Sequence, residues 1–159
     1  YAIHAWQEFN PVYFESLVQL MWGAPMHISH GGLQHAAVRY FDADARRPGL
    51  PPEGAALVSE VTADSVLLQL VNIGSNQRSL IIQAGSFREH RIVSAEFSDG
   101  SDSPQAVAVD SEWLDVSLAP NATATIRLSV ARYANDPSYE TPWSKRSDWA
   151  PLIEGRVAS

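Results

Sequence analysis

The chain contains no cysteine, which excludes disulfide bonds and metal sites built from thiolates. It also lacks any apolar run close to the roughly 20 residues that a membrane-spanning helix needs. Lysine and arginine are few, 11 against 18 aspartate and glutamate, and the formal net charge is −7. The basic residues are scattered and form no stripe that could follow a phosphate backbone. We therefore expect no membrane span and no nucleic-acid partner.

Sequence signatures of common enzyme classes are missing as well. The chain has no nucleophile elbow, no phosphate-binding glycine loop and no dinucleotide fingerprint, so we expect no cofactor. It begins at Tyr1 without a charged and apolar leader, which favours a fragment or a processed product. Missing cysteine is common in secreted bacterial-type domains, so the compartment stays open, with an extracellular or periplasmic location slightly favoured.

What the chain does contain is a series of short segments in which apolar and polar residues alternate. This pattern is typical of β-strands with one buried face. Polar, glycine-containing turns separate the segments. The predicted strands span residues 34–41, 56–62, 66–73, 79–84, 91–97, 106–109, 113–118 and 123–131. We predict a mainly β protein whose domain, residues 33–133, is an antiparallel two-sheet β-sandwich of about eight strands.

The two ends of the chain differ from this middle part. In residues 1–32, apolar residues recur at helical spacing after Asn10-Pro11, which predicts a helix over 11–22 packed on the sandwich. Residues 134–159 show no periodicity and are predicted to form an extended C-terminal arm. The segment 66–73 is apolar on both faces, so we expect a central strand whose outer face this helix covers.

Histidines supply the first candidate site. His27 and His30 flank a glycine loop, where imidazoles can bind a metal or transfer protons. Their spacing matches no established metal signature and no carboxylate lies in the segment. We therefore predict no metal site and favour hydrogen bonds to the backbone.

Glu89 and His90 form the second polar candidate. If they lie side by side on a strand, their side chains point to opposite faces and cannot act on one atom. Glu89 would then pair with Arg88 or Arg91 at an exposed strand end, which favours a structural role. The alternative is that four residues converge on one reacting centre: His27, His30, Glu89 and His90.

Aromatic residues supply candidate ligand platforms, because planar rings can stack on sugars. Trp113 lies on the phase of Asp115 and Ser117, the more polar face of its strand. The C-terminal arm adds two more aromatic rings. The candidate carbohydrate-binding residues are Trp113, Tyr139 and Trp143.

The order of aromatic helix, glycine loop and sandwich resembles the C-terminal end of carbohydrate-active enzymes built on an α/α toroid. The segments Val116-Ser117-Leu118-Ala119-Pro120 and Ile126-Arg127-Leu128-Ser129-Val130 are similar to the closing strands of such domains. The resemblance covers the architecture of residues 34–133, with 11–22 as a last toroid helix, and transfers no catalytic residue. It implies a non-catalytic domain or subunit that supports a larger catalytic partner, a glycoside hydrolase or polysaccharide lyase. The alternatives are an independent carbohydrate-binding module and a chain that contributes histidine and glutamate to an active site.

Overall fold

A computed structural model of the chain describes residues 36–98 and 105–144. Within these ranges the polypeptide forms nine strands and no helix. They are β1 (Val38–Asp42), β2 (Arg47–Pro48), β3 (Gly54–Val61), β4 (Ser65–Asn72), β5 (Arg78–Ala84), β6 (Arg91–Ser98), β7 (Gln105–Ser111), β8 (Trp113–Leu118) and β9 (Thr123–Ala131). The predicted helix over residues 11–22, the candidates His27 and His30, and the arm beyond residue 144 lie outside the described residues.

The strands form two sheets, of four and five strands. Their orders are β2-β1-β5-β8 and β3-β4-β9-β6-β7, and every neighbouring pair is antiparallel. Each predicted segment overlaps one observed strand, so the prediction of a mainly β protein with two antiparallel sheets is confirmed for the described part. The strand that was not predicted is β2, because two residues are too few to show alternation.

The first strand begins later than predicted. We expected it from residue 34, whereas β1 begins at Val38. The residues just before it bond to the loop that follows β5 instead of to a strand. The N–H of Ala36 donates to Ser86 Oγ at 3.1 Å, and the carbonyl of Ala37 accepts from the N–H of Gly85 at 3.0 Å. Residues 36 and 37 continue the alternating pattern, but they contact a loop and are not part of the strand.

The main core lies between the two sheets and consists of the apolar residues that alternate along the central strands. The four strands that contribute most supply Leu68, Leu70, Leu80, Ile82, Leu114, Val116, Ile126 and Leu128, all of them buried. Burying a side chain of this size stabilises the fold by about 1.5–3 kcal/mol. The alternation that predicted the strands is therefore the same alternation that fills the core.

The outer faces of the two sheets are buried to different extents. The outward residues of β4 are only partly buried, Leu67 and Val71, or exposed, Gln69. Although β8 is an edge strand, all six of its residues are buried, including Asp115 and Ser117. The predicted cover of residues 66–73, the helix over residues 11–22, lies outside the described residues. The apolar count of a strand does not reveal which sheet carries further chain on its outer side.

A buried asparagine joins the two sheets at one end of the sandwich. Asn72 ends β4, and its side-chain amide donates to the carbonyls of Asn76 (2.8 Å), Leu118 (3.3 Å) and Ala119 (2.9 Å). Its Oδ1 accepts from the N–H of Gly74 at 3.0 Å. Since an unpaired polar group in this position would be costly, these bonds fix the β4–β5 crossing against the β8–β9 turn.

Candidate functional site

Glu89 and His90 are the polar candidates that lie among the described residues. Both belong to the loop of residues 85–90, where the chain passes from the four-stranded sheet to the five-stranded sheet. This loop follows β5 and leads into β6. Gly85 opens it with a φ of 80°, and a Cβ at this position would lie 2.5 Å from the carboxyl carbon of Glu89. Glycine is therefore required both by the backbone angle and by the space that Glu89 occupies.

Glu89 lies inside this loop and holds its backbone. Its exposed fraction is 8%, and its two oxygens accept separate N–H groups, Oε1 from Ser86 at 3.2 Å and Oε2 from Phe87 at 2.7 Å. The expected pairing of Glu89 with Arg88 or Arg91 at an exposed strand end is wrong. A carboxylate that accepts two backbone N–H groups closes the loop much as an N-cap closes a helix.

His90 is buried beside Glu89 and bonds to the chain that follows β9. Its Nδ1 accepts the N–H of Tyr133 at 3.0 Å, and the rings of the two residues meet edge to face at 4.9 Å. An Nδ1 that accepts leaves the proton of a neutral imidazole on Nε2. That Nε2 lies 3.9 Å from Oε1 of Glu89. The expectation that Glu89 and His90 point apart is wrong, because the pair precedes β6 instead of lying within a strand.

Arg88 is the cation at the centre of this site. Its Nη2 lies 2.7 Å from Oε1 of Glu112, and its Nη1 pairs with Glu140. The guanidinium also lies over the ring of Trp113, 4.7 Å from the ring centroid. Arg88 therefore links the loop, the start of β8 and the segment after β9. A planar, permanently charged guanidinium can make such contacts at once.

The segment after β9, residues 133–144, is held by hydrogen bonds to backbone carbonyls of the loop. The side-chain amide of Asn135 donates to the carbonyls of Arg88 and His90, each at 3.1 Å. The N–H of Ser138 donates to the carbonyl of Phe87 at 2.7 Å. We call residues 85–90 together with residues 133–144 the clasp. Most of its polar groups are used to hold one stretch of polypeptide to another.

The aromatic candidates occupy three different environments. Trp113 has an exposed fraction of 8%, and its Nε1 donates to Oε1 of Gln83 at 3.3 Å. As predicted, it faces away from the main core, and it packs with Phe41 on the outer face of its sheet. Trp143 is half-buried and meets Phe41 edge to face at 5.6 Å. Tyr139 is 82% exposed.

The ligand roles of these aromatic residues stay predictions. A sugar that stacked on Trp113 would have to displace the guanidinium of Arg88 from the ring. Tyr139 needs no such displacement, and its ring stands edge to face on Phe87 at 5.2 Å. Exposure therefore favours Tyr139 among the three residues.

Several residues of the clasp carry no signal in the sequence. Asn135 and Glu140 lie in a stretch without periodicity, and Glu112 lies between two strands. Their contacts span 24 to 52 residues along the chain, so only the fold brings them to Arg88. One local sign is readable in the sequence: Gly85 follows the end of a strand, a position where glycine is typical of a sharp turn, and the structure has a φ of 80° there.

The described part of the chain shows neither a metal-binding cluster nor a membrane-spanning helix. No group of three or more histidine, aspartate and glutamate residues there could hold a metal ion. No helix in that part is long and apolar enough to cross a membrane. Comparisons with family models, with curated proteins and with solved structures gave no match for this chain.

Proposed function

We propose that this chain is a non-catalytic β-sandwich domain or subunit that supports a larger catalytic partner. One observation carries the proposal: the ionisable side chains of the clasp hold polypeptide. Both oxygens of Glu89 accept backbone N–H groups, and Nδ1 of His90 accepts another. Arg88 is paired with two carboxylates. A general base needs a lone pair that its substrate can reach, and Glu89 and His90 are buried, with exposed fractions of 8% and 3%.

The proposed partner is a carbohydrate-active hydrolase or lyase. This choice rests on the resemblance of the closing strands, residues 116–120 and 126–130, to those of sandwiches attached to α/α toroids. An antiparallel sandwich of two sheets is in keeping with that architecture. The same architecture serves many unrelated functions, so the class of partner needs its own test.

The test for catalysis uses the chain itself on a panel of polysaccharides, with new reducing ends measuring hydrolysis and unsaturated products measuring lyase activity. We expect no turnover, and we expect Glu89→Gln to lower the free energy of unfolding. The proposal is refuted if the chain cleaves a polysaccharide and folded Glu89→Gln protein loses that rate. In that case the alternative of a chain that contributes histidine and glutamate to an active site, with His27, His30, Glu89 and His90 as candidates, takes its place.

The test for the partner is the coding sequence around this chain. If it continues upstream into helical repeats, the longer protein should cleave a polysaccharide. Removal of residues 36–144 should then lower the melting temperature of the longer protein while the kcat of the folded fraction stays unchanged. A flanking region without a catalytic domain would contradict the proposal of a covalently attached partner.

An independent carbohydrate-binding module is the second candidate, because one aromatic platform is available on the surface. Tyr139 and Phe87 form an exposed edge-to-face pair beside the ion pair of Arg88 and Glu140. A ring of this kind offers apolar contact with charged hydrogen-bonding groups next to it.

Titration with a glycan panel tests this candidate. Tyr139→Ala should weaken binding about two- to tenfold, in line with about 0.5–1.5 kcal/mol for one aromatic contact. Tyr133→Ala is the matched control, since Tyr133 is also exposed on the same segment and bonds to His90 through its backbone. No binding to any glycan, or equal losses in the two variants, would exclude the proposed platform.

A further inference from the structure

The segment after β9, residues 133–144, is held in place differently from the strands, and we call it the strap. It forms no strand, so no ladder of hydrogen bonds fixes its backbone. It contributes a single buried residue, Pro142, whereas all six residues of β8 are buried. The strap therefore lacks the two kinds of contact, ladders and buried apolar surface, that stabilise the sandwich most.

The strap is attached to the loop of residues 85–90 mainly by polar contacts. Its side chains contribute the two bonds of Asn135 to loop carbonyls and the ion pair of Glu140 with Arg88. Such groups bond to water instead when the strap leaves the loop, so each contact stabilises the closed state only modestly. Three backbone N–H groups of the strap also donate to the loop: Tyr133 to Nδ1 of His90 (3.0 Å), Asn135 to the carbonyl of Glu89 (3.3 Å) and Ser138 to the carbonyl of Phe87 (2.7 Å).

Backbone strain lies on both sides of this contact. Arg88 in the loop has a φ of 64°, and Tyr133 in the strap has a φ of 53°. Both angles fall in the left-handed region, which is unfavourable for bulky side chains and persists only where surrounding contacts enforce it. Because opening of the strap breaks those contacts, it releases the strain at Tyr133 and favours the open state.

The strap lies against an aromatic cluster on the outer side of the four-stranded sheet. Its Trp143 meets Phe41 edge to face at 5.6 Å. Its Glu140 pairs with Arg88, whose guanidinium lies over the ring of Trp113. The strap therefore covers one ring of the cluster directly and holds the cation that covers another. This outer cluster consists of Phe41, Ala43, Ile81 and Trp113.

We propose that the strap opens as one unit while both sheets stay folded, and that its opening uncovers the outer cluster. In the open state the N–H groups of the strap bond to water, and Arg88 keeps its ion pair with Glu112. Trp113, a candidate ligand residue, then loses the strap carboxylate that fixes Arg88 over its ring. A ligand that stacks on Trp113 would bind the open state and shift the population toward it.

Hydrogen exchange of single amides in the 159-residue chain separates this opening from global unfolding. Where reclosing is faster than exchange, the rate at an amide reports the free energy of the opening that exposes it. The amides of Tyr133, Asn135 and Ser138 report the strap, and those of the interior strands β5 and β9 report the sheets. We expect the strap amides to be at least about 100-fold less protected than the strand amides. Equal protection would overturn the proposal.

The first variant, Ile126→Val, alters the main core and leaves the strap untouched. Ile126 is fully buried between the sheets. Because the open state keeps this core, the loss of one methylene group destabilises the closed and the open state equally. The strand amides should exchange about two- to tenfold faster, and the strap amides at an unchanged rate. Equal acceleration would mean that the strap amides exchange only through global unfolding, which would overturn the proposal.

The second variant, Asn135→Ala, removes two bonds between the strap and the loop. The amides of Tyr133 and Ser138 should both exchange at least about fivefold faster, because one opening exposes both. Asp136→Ala is the matched control, since Asp136 is the exposed neighbour of Asn135 in the same segment. It should leave both rates within about twofold. Acceleration at only one of the two amides, or the same acceleration in the control, would contradict a single opening unit.

The third variant, Trp143→Ala, tests whether the outer cluster is uncovered. If the ring of Trp143 leaves Phe41 when the strap opens, its removal destabilises the closed state alone. The amide of Ser138 should then exchange at least about threefold faster. An unchanged rate would mean that Trp143 stays on Phe41 in the open state, and it would overturn the uncovering of the outer cluster.

Discussion

Replacing Glu89 by glutamine tests whether one buried carboxylate holds the clasp together. Glutamine keeps the shape of the side chain but offers one oxygen in place of two. One of the two N–H groups, of Ser86 or Phe87, would then face an NH₂ group. A hydrogen bond to a charged acceptor contributes about 1.5–3 kcal/mol. We therefore expect the free energy of unfolding to fall by about 2–3 kcal/mol.

Urea unfolding followed by tryptophan fluorescence measures this loss. Glu96→Gln is the matched control, since Glu96 is an exposed residue of β6 and the change removes the same charge. Exposed substitutions of this kind alter stability by less than about 0.5 kcal/mol. Hydrogen exchange at Ser86 and Phe87 locates the effect in the loop. The reasoning is refuted if Glu89→Gln unfolds within about 0.5 kcal/mol of the unaltered chain, or if Glu96→Gln loses as much.

Three further substitutions, one of them with a matched glycine control, test other parts of the fold. Gly85→Ala should cost about 2–4 kcal/mol in urea unfolding, because the new Cβ meets the Glu89 carboxylate. Gly49→Ala, also at positive φ but with 3.7 Å between the new Cβ and Nη1 of Arg47, should cost only about 1 kcal/mol, and equal costs would contradict the steric argument. Asn72→Ala should lose about 2–4 kcal/mol, since it removes all the hydrogen bonds that the Asn72 side chain makes at the β4–β5 crossing, and an unchanged midpoint would exclude that role. Burial raises the pKa of Tyr40, so above pH of about 10 the unfolded chain releases this proton first and stability falls by up to about 1.4 kcal/mol per pH unit. Tyr40→Phe should remove that part of the alkaline loss and leave stability below pH of about 9 little changed, and identical alkaline profiles would refute this.

Strand positions were predictable because alternation is a local property. The predicted segments 113–118 and 123–131 coincide with β8 and β9. Their inward residues were also predictable, since a strand that buries one face must place its apolar phase in the core. The error at the start of β1 has a different origin. Ala36 and Ala37 continue the apolar pattern, but their backbone bonds go to the loop after β5.

The site was less predictable than the fold because its contacts are long-range. Glu89 and His90 were recognised as a pair, but their convergence depends on the loop conformation that Gly85 begins. The partners of Arg88 lie 24 and 52 residues away along the chain. No local pattern marks Glu112 or Glu140, because a side chain that pairs across a fold need not have any particular neighbour in sequence.

The sequence by itself determined that this is a β protein, where eight of the nine described strands lie and which residues of the central strands face the core. These features follow from the two-residue period of the β-strand, which is visible within a short stretch of sequence. The tertiary structure alone decided that both faces of the edge strand β8 are buried. It also decided that Arg88, Glu89 and His90 hold the segment 133–144. The burial of an outer face and the convergence of distant side chains both depend on which parts of the chain become neighbours in the fold. The periodicity of a strand carries no information about that.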